Sequence, residues 1–180
     1  EAVPGVVAAS PMASGPAIAL RGEGRNAVTL FGVDLARYDR IVDLRDKLTS
    51  GTLRLEPGDV LVGAELARDL GADVGERITL TDGTANSTGE RFQIVGMIDP
   101  GNRDLSRRSV YLPLHVAQNF LGVPGGVTSI DLRVRDVFAA DAVAARVARV
   151  APLTVESWML TNNQLLSALN AQSMATGMIR

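Results

Sequence analysis

The stretch that decides the fold runs from Gly58 to Leu80 and reads GDVLVGAELARDLGADVGERITL. Within it, Asp59–Val62 predicts a short buried strand, and Gly63 precedes one short helix. Gly71 stands where a helix ends in a left-handed residue, and a Gly-Glu turn then leads into a second strand at Arg77–Thr81. No polar side chains converge in this unit, so it predicts a scaffold and not a catalytic site.

The composition excludes several classes of protein. A chain of 180 residues that is 46% apolar is long enough to bury a core. The formal net charge is −2 and the arginines are dispersed along the sequence, so we predict no nucleic-acid partner. Cysteine is absent and His115 is the only histidine, which excludes thiol catalysis and histidine-rich metal sites. A base–nucleophile pair would therefore have to use His115 or a carboxylate.

The two ends of the sequence indicate a fragment of a longer membrane protein. The chain starts at Glu1 without a methionine, and it stops inside a helical pattern that begins at Ser157. Residues 157–179 carry no charge, yet five side-chain amides would oppose insertion into a bilayer by about 5–15 kcal/mol. We expect a soluble chain whose last segment, residues 157–180, is a helix leading toward a membrane segment.

Periodicity divides the rest of the chain into strands and helices. Short strands are expected up to residue 33, interrupted by the Gly/Pro/Ser-rich segment Pro11–Pro16. A helix capped by Asp39 is expected to end at Gly51, and residues 130–135 alternate as a half-buried strand. The patterns predict an α+β fold in which residues 57–125 form an inserted β-rich subdomain.

Six motifs then follow one another in order along nearly the whole chain. They are Pro4–Val6, Phe31–Asp34, Gly58–Leu80, Phe92–Gly96, Val110–Leu114 with Ala117–Gln118, and Ser157–Trp158 followed by Asn163, Leu166 and Ala168–Leu169. Their order and spacing resemble the MacB-type periplasmic core domain, which lies between the first and second membrane helices of FtsX-like permease subunits of ABC transporters. The resemblance implies a mixed α/β porter-like subdomain from both chain ends, corresponding to residues 1–56 and 126–156.

The resemblance also implies a module that moves and binds, with no active site of its own. We therefore predict a non-enzymatic domain with no catalytic residue, no metal and no cofactor. In that family, ATP hydrolysed on the cytoplasmic side moves the extracytoplasmic domain, which acts on lipoproteins, efflux adaptors or regulators of cell-wall hydrolases. The implied partners are a cytoplasmic ATPase subunit, a second permease copy in the parent dimer, and a periplasmic adaptor, lipoprotein or carrier. The implied location is the periplasmic side of the inner membrane, with membrane helices flanking the fragment and both termini directed to one membrane surface.

The expected partner-binding residues are Thr84, Asn86, Thr88 and Trp158. Family members that hand lipoproteins to a soluble carrier have an extended hairpin hook, and the corresponding segment here is the short polar link 81–90. The start of the last helix resembles the lipoprotein-releasing branch, whereas the short link does not. The cargo therefore stays open between a lipoprotein and an efflux substrate, and Trp158 has core packing as its structural alternative.

Two other interpretations remain open. Residues 58–80 also resemble a double-psi barrel, which predicts a cofactor- or substrate-binding β-barrel domain of a cytoplasmic enzyme. That interpretation requires one closed barrel and a pocket with convergent polar groups. The other is a secreted interaction domain without membrane attachment. The charged segment 99–108 and His115 could serve acid–base chemistry, although a solvated turn and an ordinary helix-start histidine explain them more simply.

Overall fold

The computed structural model describes residues 3–157, which contain eight strands and six α-helices. The strands are β1 (Val6–Arg21), β2 (Gly24–Val33), β3 (Leu48–Gly51), β4 (Asp59–Gly63), β5 (Arg77–Thr81), β6 (Glu90–Ile98), β7 (Ser109–Pro113) and β8 (Ser129–Val134). The helices are α1 (Leu35–Val42), α2 (Leu44–Lys47), α3 (Ala64–Asp69), α4 (Arg103–Arg108), α5 (Leu114–Phe120) and α6 (Ala140–Val150). This mixture of helices and strands confirms the predicted α+β class.

The described chain divides into two compact units. One is inserted and comprises residues 9–131, and the other combines residues 3–8 with residues 132–157. The predicted subdomains, residues 1–56 with 126–156 around an insertion at 57–125, stay a prediction. In the structure, β1 and β2 pair directly with strands of the segment 57–125.

Six strands of the inserted unit form a closed barrel. Each strand pairs with the next in the order β1, β2, β7, β4, β6, β5, and β5 pairs back with β1 through Ile18–Leu20. Closure provides hydrogen-bond partners for the backbone N–H and C=O groups that would be unpaired at the edges of an open sheet. β3 pairs with β6 outside this ring, and β8 follows β1 in the strand order.

Apolar side chains fill the barrel interior. Every second residue of a strand faces inward, and each of the six strands contributes two inward residues that are at least 95% buried. These residues are Ala17, Ala19, Val28, Leu30, Val60, Val62, Ile78, Leu80, Phe92, Ile94, Val110 and Leu112. Strand pairing sets them opposite one another, as with Ala19 and Leu80. The interior is thus a packed core, which is the main source of stability for this unit.

The stretch that opened the sequence analysis forms β4, α3 and β5, as predicted. Gly63 is the N-cap of α3, and a Cβ at this position would overlap the backbone carbonyl of Ser106. The Oγ of the same serine accepts a hydrogen bond of 3.0 Å from the backbone N–H of Glu65. Gly71 has φ +59, the left-handed conformation expected at the end of this helix.

A second apolar cluster lies on the outer face of the barrel wall. Its buried members are Met12, Val33, Tyr38, Leu44, Leu61, Val95, Ile98 and Tyr111, contributed by the strands and by α1 and α2. The ring of Tyr111 stacks on that of Phe31, with the centroids 5.4 Å apart. The two short helices therefore cover one side of the barrel.

Both described ends of the chain meet at α6 in the other unit. Gly5 accepts a hydrogen bond of 2.8 Å from the backbone N–H of Arg135, and a Cβ built on Gly5 would lie 2.9 Å from Cγ2 of Val143. The Oγ of Ser157 donates to Oδ1 of Asp141 at 2.5 Å. Asp141 and Val143 both lie near the start of α6, so residues 5 and 157 contact the same part of one helix.

Three local predictions were wrong. β1 runs without interruption through Pro11 and Pro16. Pro11 precedes Met12, where pairing with β2 begins, and Pro16 precedes Ile18, where pairing with β5 begins, so Pro11 does not have to donate an N–H to β2, nor Pro16 to β5. The helix expected to start at Asp39 is capped instead by the side chain of Asp34 and ends at Asp43, which has φ +52. Segment 99–108 contains a helix, α4, and not only a turn.

Candidate functional site

The loop that joins β5 to β6 contains three of the four predicted partner-binding residues. Oδ1 of Asp82 accepts hydrogen bonds of 2.9 Å from both the backbone N–H and the hydroxyl of Thr84. The backbone N–H of Ser87 donates to the carbonyl of Thr84, and the hydroxyl of Thr81 donates to that of Ser87 at 3.0 Å. Local side-chain bonds of this kind give a short loop a defined conformation.

Electrostatics reinforce the same turn. The backbone N–H and the hydroxyl of Thr84 lower the pKa of Asp82 below its ordinary value of 3.8. Asp82 is therefore ionised across the neutral range and continues to accept both bonds. At the other end of the loop, Gly89 has φ +72, and a Cβ there would lie 2.6 Å from Cγ2 of Thr79. Glycine is required at this point for the chain to enter β6.

The loop forms one wall of a shallow polar cavity of about 270 Å³. Its lining residues are Asp82, Asn86, Ser87, Thr88, Gly89, Glu90, Asn119 and Phe120. The structure thus brings Asn86 and Thr88 together at one cavity, while Thr84 is exposed and holds the turn through Asp82. Trp158, the fourth predicted residue, lies outside the described residues.

Sequence reasoning missed the opposite wall of this cavity. Asn119 and Phe120 come from the last turn of α5, about 30 residues from the loop in sequence, and no motif connects the two segments. The exposed amide of Asn119 and the partly buried ring of Phe120 give the cavity a mixed polar and apolar lining. Such a surface can bind an extended peptide segment through amide and hydroxyl hydrogen bonds.

The charged segment 99–108 has a structural role in the described chain. Asn102 caps α4 by accepting a hydrogen bond of 3.1 Å from the backbone N–H of Leu105. Arg107 then pairs with Asp69 of α3 at 2.9 Å, and Arg103 lies 3.6 Å from Glu65 of the same helix. These pairs join two neighbouring helices on the surface, and His115 is an exposed residue in the first turn of α5. Across residues 3–157 no group of three or more His, Asp or Glu side chains could hold a metal ion.

The barrel meets only one of the two requirements of a cofactor- or substrate-binding barrel domain. A closed barrel is present, as a cofactor-binding domain would require. Its interior, however, is filled by the twelve apolar side chains described above, and residues 3–157 place no cluster of convergent polar groups there. The barrel is a packed scaffold.

Comparison with known families decides between these interpretations. The model of the MacB-like periplasmic core domain matches residues 1–150. The chain belongs to this family. The MacB-like family is a domain of ABC transporter permeases and is not a catalytic family, so the predicted family is confirmed. The proposal of a cofactor-binding domain from a cytoplasmic enzyme is overturned by this match.

Named relatives of this MacB-like domain are permeases for lipoprotein release. The lipoprotein-releasing system transmembrane protein LolC of Xylella fastidiosa strain 9a5c is 28% identical over 188 residues, covering 98% of this chain and 45% of the relative. LolC of Neisseria meningitidis serogroup B is 24% identical over 181 residues, covering 93% of this chain and 44% of the relative. The chain therefore spans less than half the length of these relatives.

Solved structures support the fold of the MacB-like domain. The extracellular domain of the noncanonic ABC-type transporter YknZ from Gram-positive bacteria has a TM-score of 0.61 at 15% identity, covering 82% of this chain and 75% of that one. The periplasmic region of MacB from Actinobacillus actinomycetemcomitans has a TM-score of 0.56 at 16% identity, with coverages of 82% and 68%. Within residues 3–157, no helix combines the length and hydropathy needed to cross a bilayer.

Proposed function

We propose that this chain is the extracytoplasmic domain of an ABC transporter permease and couples cytoplasmic ATP hydrolysis to the movement of a lipoprotein. The observation that carries the proposal is the family match over residues 1–150, together with LolC relatives that align with nearly the whole chain. The cytoplasmic ATPase subunit and a second permease copy act through the full-length protein. An efflux substrate is the alternative cargo.

The meeting of the two described chain ends supports this assignment. Gly5 and Ser157 both contact the start of α6, so the two ends of the described segment 3–157 lie close together. A domain inserted between two membrane helices needs this arrangement, because both helices start from the same membrane surface. Force applied at the two ends would reach α6 through the bond between Ser157 and Asp141 and through Gly5, which lies against Val143. Gly5 also accepts a backbone bond from Arg135, which precedes α6.

The loop at residues 82–89 is the proposed contact with the periplasmic partner. Asn86 and Thr88 face a cavity with Asn119 and Phe120, and the bonds between Asp82 and Thr84 hold the loop in place. A preformed loop loses little conformational entropy when it binds. The polar lining favours a partner segment that offers backbone amides and carbonyls, such as an extended strand of a lipoprotein or its carrier.

The proposal is tested in proteoliposomes that contain the full-length permease and its ATPase subunit. Release of a fluorescent lipoprotein to a soluble carrier is measured with and without ATP. We expect Asn86→Ala/Thr88→Ala to reduce release while ATP hydrolysis continues, because the cargo contact is lost but the ATPase is not. The control Ser50→Ala/Thr52→Ala changes two exposed positions near β3 and is expected to retain release.

Three results would contradict parts of this account. Release that does not depend on ATP would overturn the coupling role. Equal release by the loop variant and the control would overturn the assignment of the partner contact. Transport of a small efflux substrate, with no release of lipoprotein under any condition, would replace the lipoprotein by the alternative cargo.

A further inference from the structure

Arg21 ends β1 at the mouth of the barrel, and its guanidinium is fixed by three bonds. Nη1 donates to the carbonyls of Leu70 at 3.3 Å and Gly71 at 2.7 Å, and Nη2 donates to Glu76 at 2.8 Å. The side chain is 34% exposed. Because a guanidinium carries five N–H groups, these bonds leave two further donors on a group whose position is already set.

Arg77 and Arg91 lie beside Arg21 on the outer face of the barrel. Thr79 is paired with Arg91 and Arg77 with Gln93, so the two arginines are diagonal neighbours on adjacent strands. Both are exposed, and within the described part of the chain neither has a carboxylate within 4.0 Å. Neighbouring like charges without a counter-ion slightly destabilise strand pairing, so the proximity of Arg77 and Arg91 does not stabilise the fold.

The three arginines line a single open cavity of about 370 Å³. Its lining residues are Leu20, Arg21, Gly22, Arg77, Thr79 and Arg91. Glu76 neutralises Arg21, whereas Arg77 and Arg91 keep the cavity positive although the whole protein has a net charge of −2. Sequence inspection missed this cluster because its members are far apart in the chain and meet only when β1 closes on β5.

We propose that this cavity is an oxyanion site that binds a phosphate group, carried either by a lipid headgroup or by a free phosphate ester. Guanidinium groups bind phosphate through short, charge-assisted hydrogen bonds, and the two exposed arginines can approach one anion from neighbouring strands. The Thr79 hydroxyl adds a neutral donor between them. The inference depends on the barrel alone and not on the cargo of the proposed transporter.

The test uses the full 180-residue chain and two phosphate sources. One arm titrates inorganic phosphate and follows the amide signals of residues 77–93 by NMR. The other measures co-sedimentation with vesicles of phosphatidylglycerol and phosphatidylcholine, against vesicles of phosphatidylcholine alone. The variant Arg77→Gln/Arg91→Gln is expected to weaken binding by about tenfold or more, because charge-assisted hydrogen bonds are lost.

The matched control is Arg108→Gln/Arg149→Gln, which removes the same charge from α4 and α6. We expect it to bind within about twofold of the unchanged chain, since binding at a defined site does not follow net charge alone. Binding in either arm that is lost only in the Arg77/Arg91 variant supports the site, and the arm that responds identifies the source. Equal losses in both variants, or no binding in either arm, would overturn the proposal.

Discussion

Replacing Leu80 by alanine measures how much the closed barrel contributes to stability. Leu80 has no exposed surface and lies opposite Ala19 at the seam where β5 pairs with β1. The substitution removes three buried carbon groups, a loss of about 2.4 kcal/mol at ~0.8 kcal/mol each, before the cavity is counted. With the cavity included, we expect the free energy of unfolding to fall by about 3–5 kcal/mol.

The control is Leu153→Ala, which makes the same chemical change at a side chain that is 60% exposed. Its expected cost is about 1 kcal/mol or less, because most of the side chain is already in contact with water. Urea unfolding followed by far-ultraviolet circular dichroism gives both free energies on one scale. Equal losses for the two variants would refute a packed, closed barrel.

Three further predictions test separate parts of the structure. Gly63→Ala is expected to lower the free energy of unfolding by about 1–3 kcal/mol, because the added Cβ overlaps the carbonyl of Ser106 in α4. An unchanged midpoint of urea unfolding would show that α4 can move away. NMR titration is expected to give the carboxyl of Asp82 a pKa below 3.8, so its stabilising contribution is present above that unfolded-state value and is lost as the pH falls through the folded-state pKa. Thr84→Val should raise the pKa of Asp82, and an unchanged pKa would refute the role of the hydroxyl. The double variant Leu20→Cys/Thr79→Cys should form an intramolecular disulfide on mild oxidation, because these two residues are paired across β1 and β5 and the chain has no other cysteine. A variant that stays reduced would contradict the pairing of β1 with β5.

Local turns were the part of the fold that the sequence predicted best. Gly63 and Gly71 mark the start and the end of α3, and both have the conformations that their positions require. Glycine signals are reliable because they report backbone geometry that other residues disfavour. The α+β class also followed from periodicity.

Long-range strand pairing could not be predicted in the same way. The closing contact joins Ile18–Leu20 to Thr79–Thr81, and nothing in either segment identifies the other as its partner. The periodic pattern of β1 was also obscured by Pro11 and Pro16, which suggested interruptions that the strand does not have. Periodicity alone therefore does not show that β1 and β2 pair with strands of the segment 57–125.

The candidate site was predicted in part for the same reason. The polar composition of residues 81–90 identified an exposed loop, and Asn86 and Thr88 do line a cavity there. The contributions of Asn119 and Phe120 depend on how α5 lies against the barrel, which a single sequence does not specify. Site residues contributed by distant elements are therefore the ones that need a structure.

The central claim is that this domain works outside the cytoplasm, driven by a permease in the membrane. The most direct measurement is the labelling of a single cysteine at Thr84→Cys with a membrane-impermeant maleimide, in cells that express the full-length gene product. The position is exposed at the tip of the loop, and this segment has no native cysteine. We predict labelling while the inner membrane is intact, and labelling only after that membrane is lysed would contradict the claim.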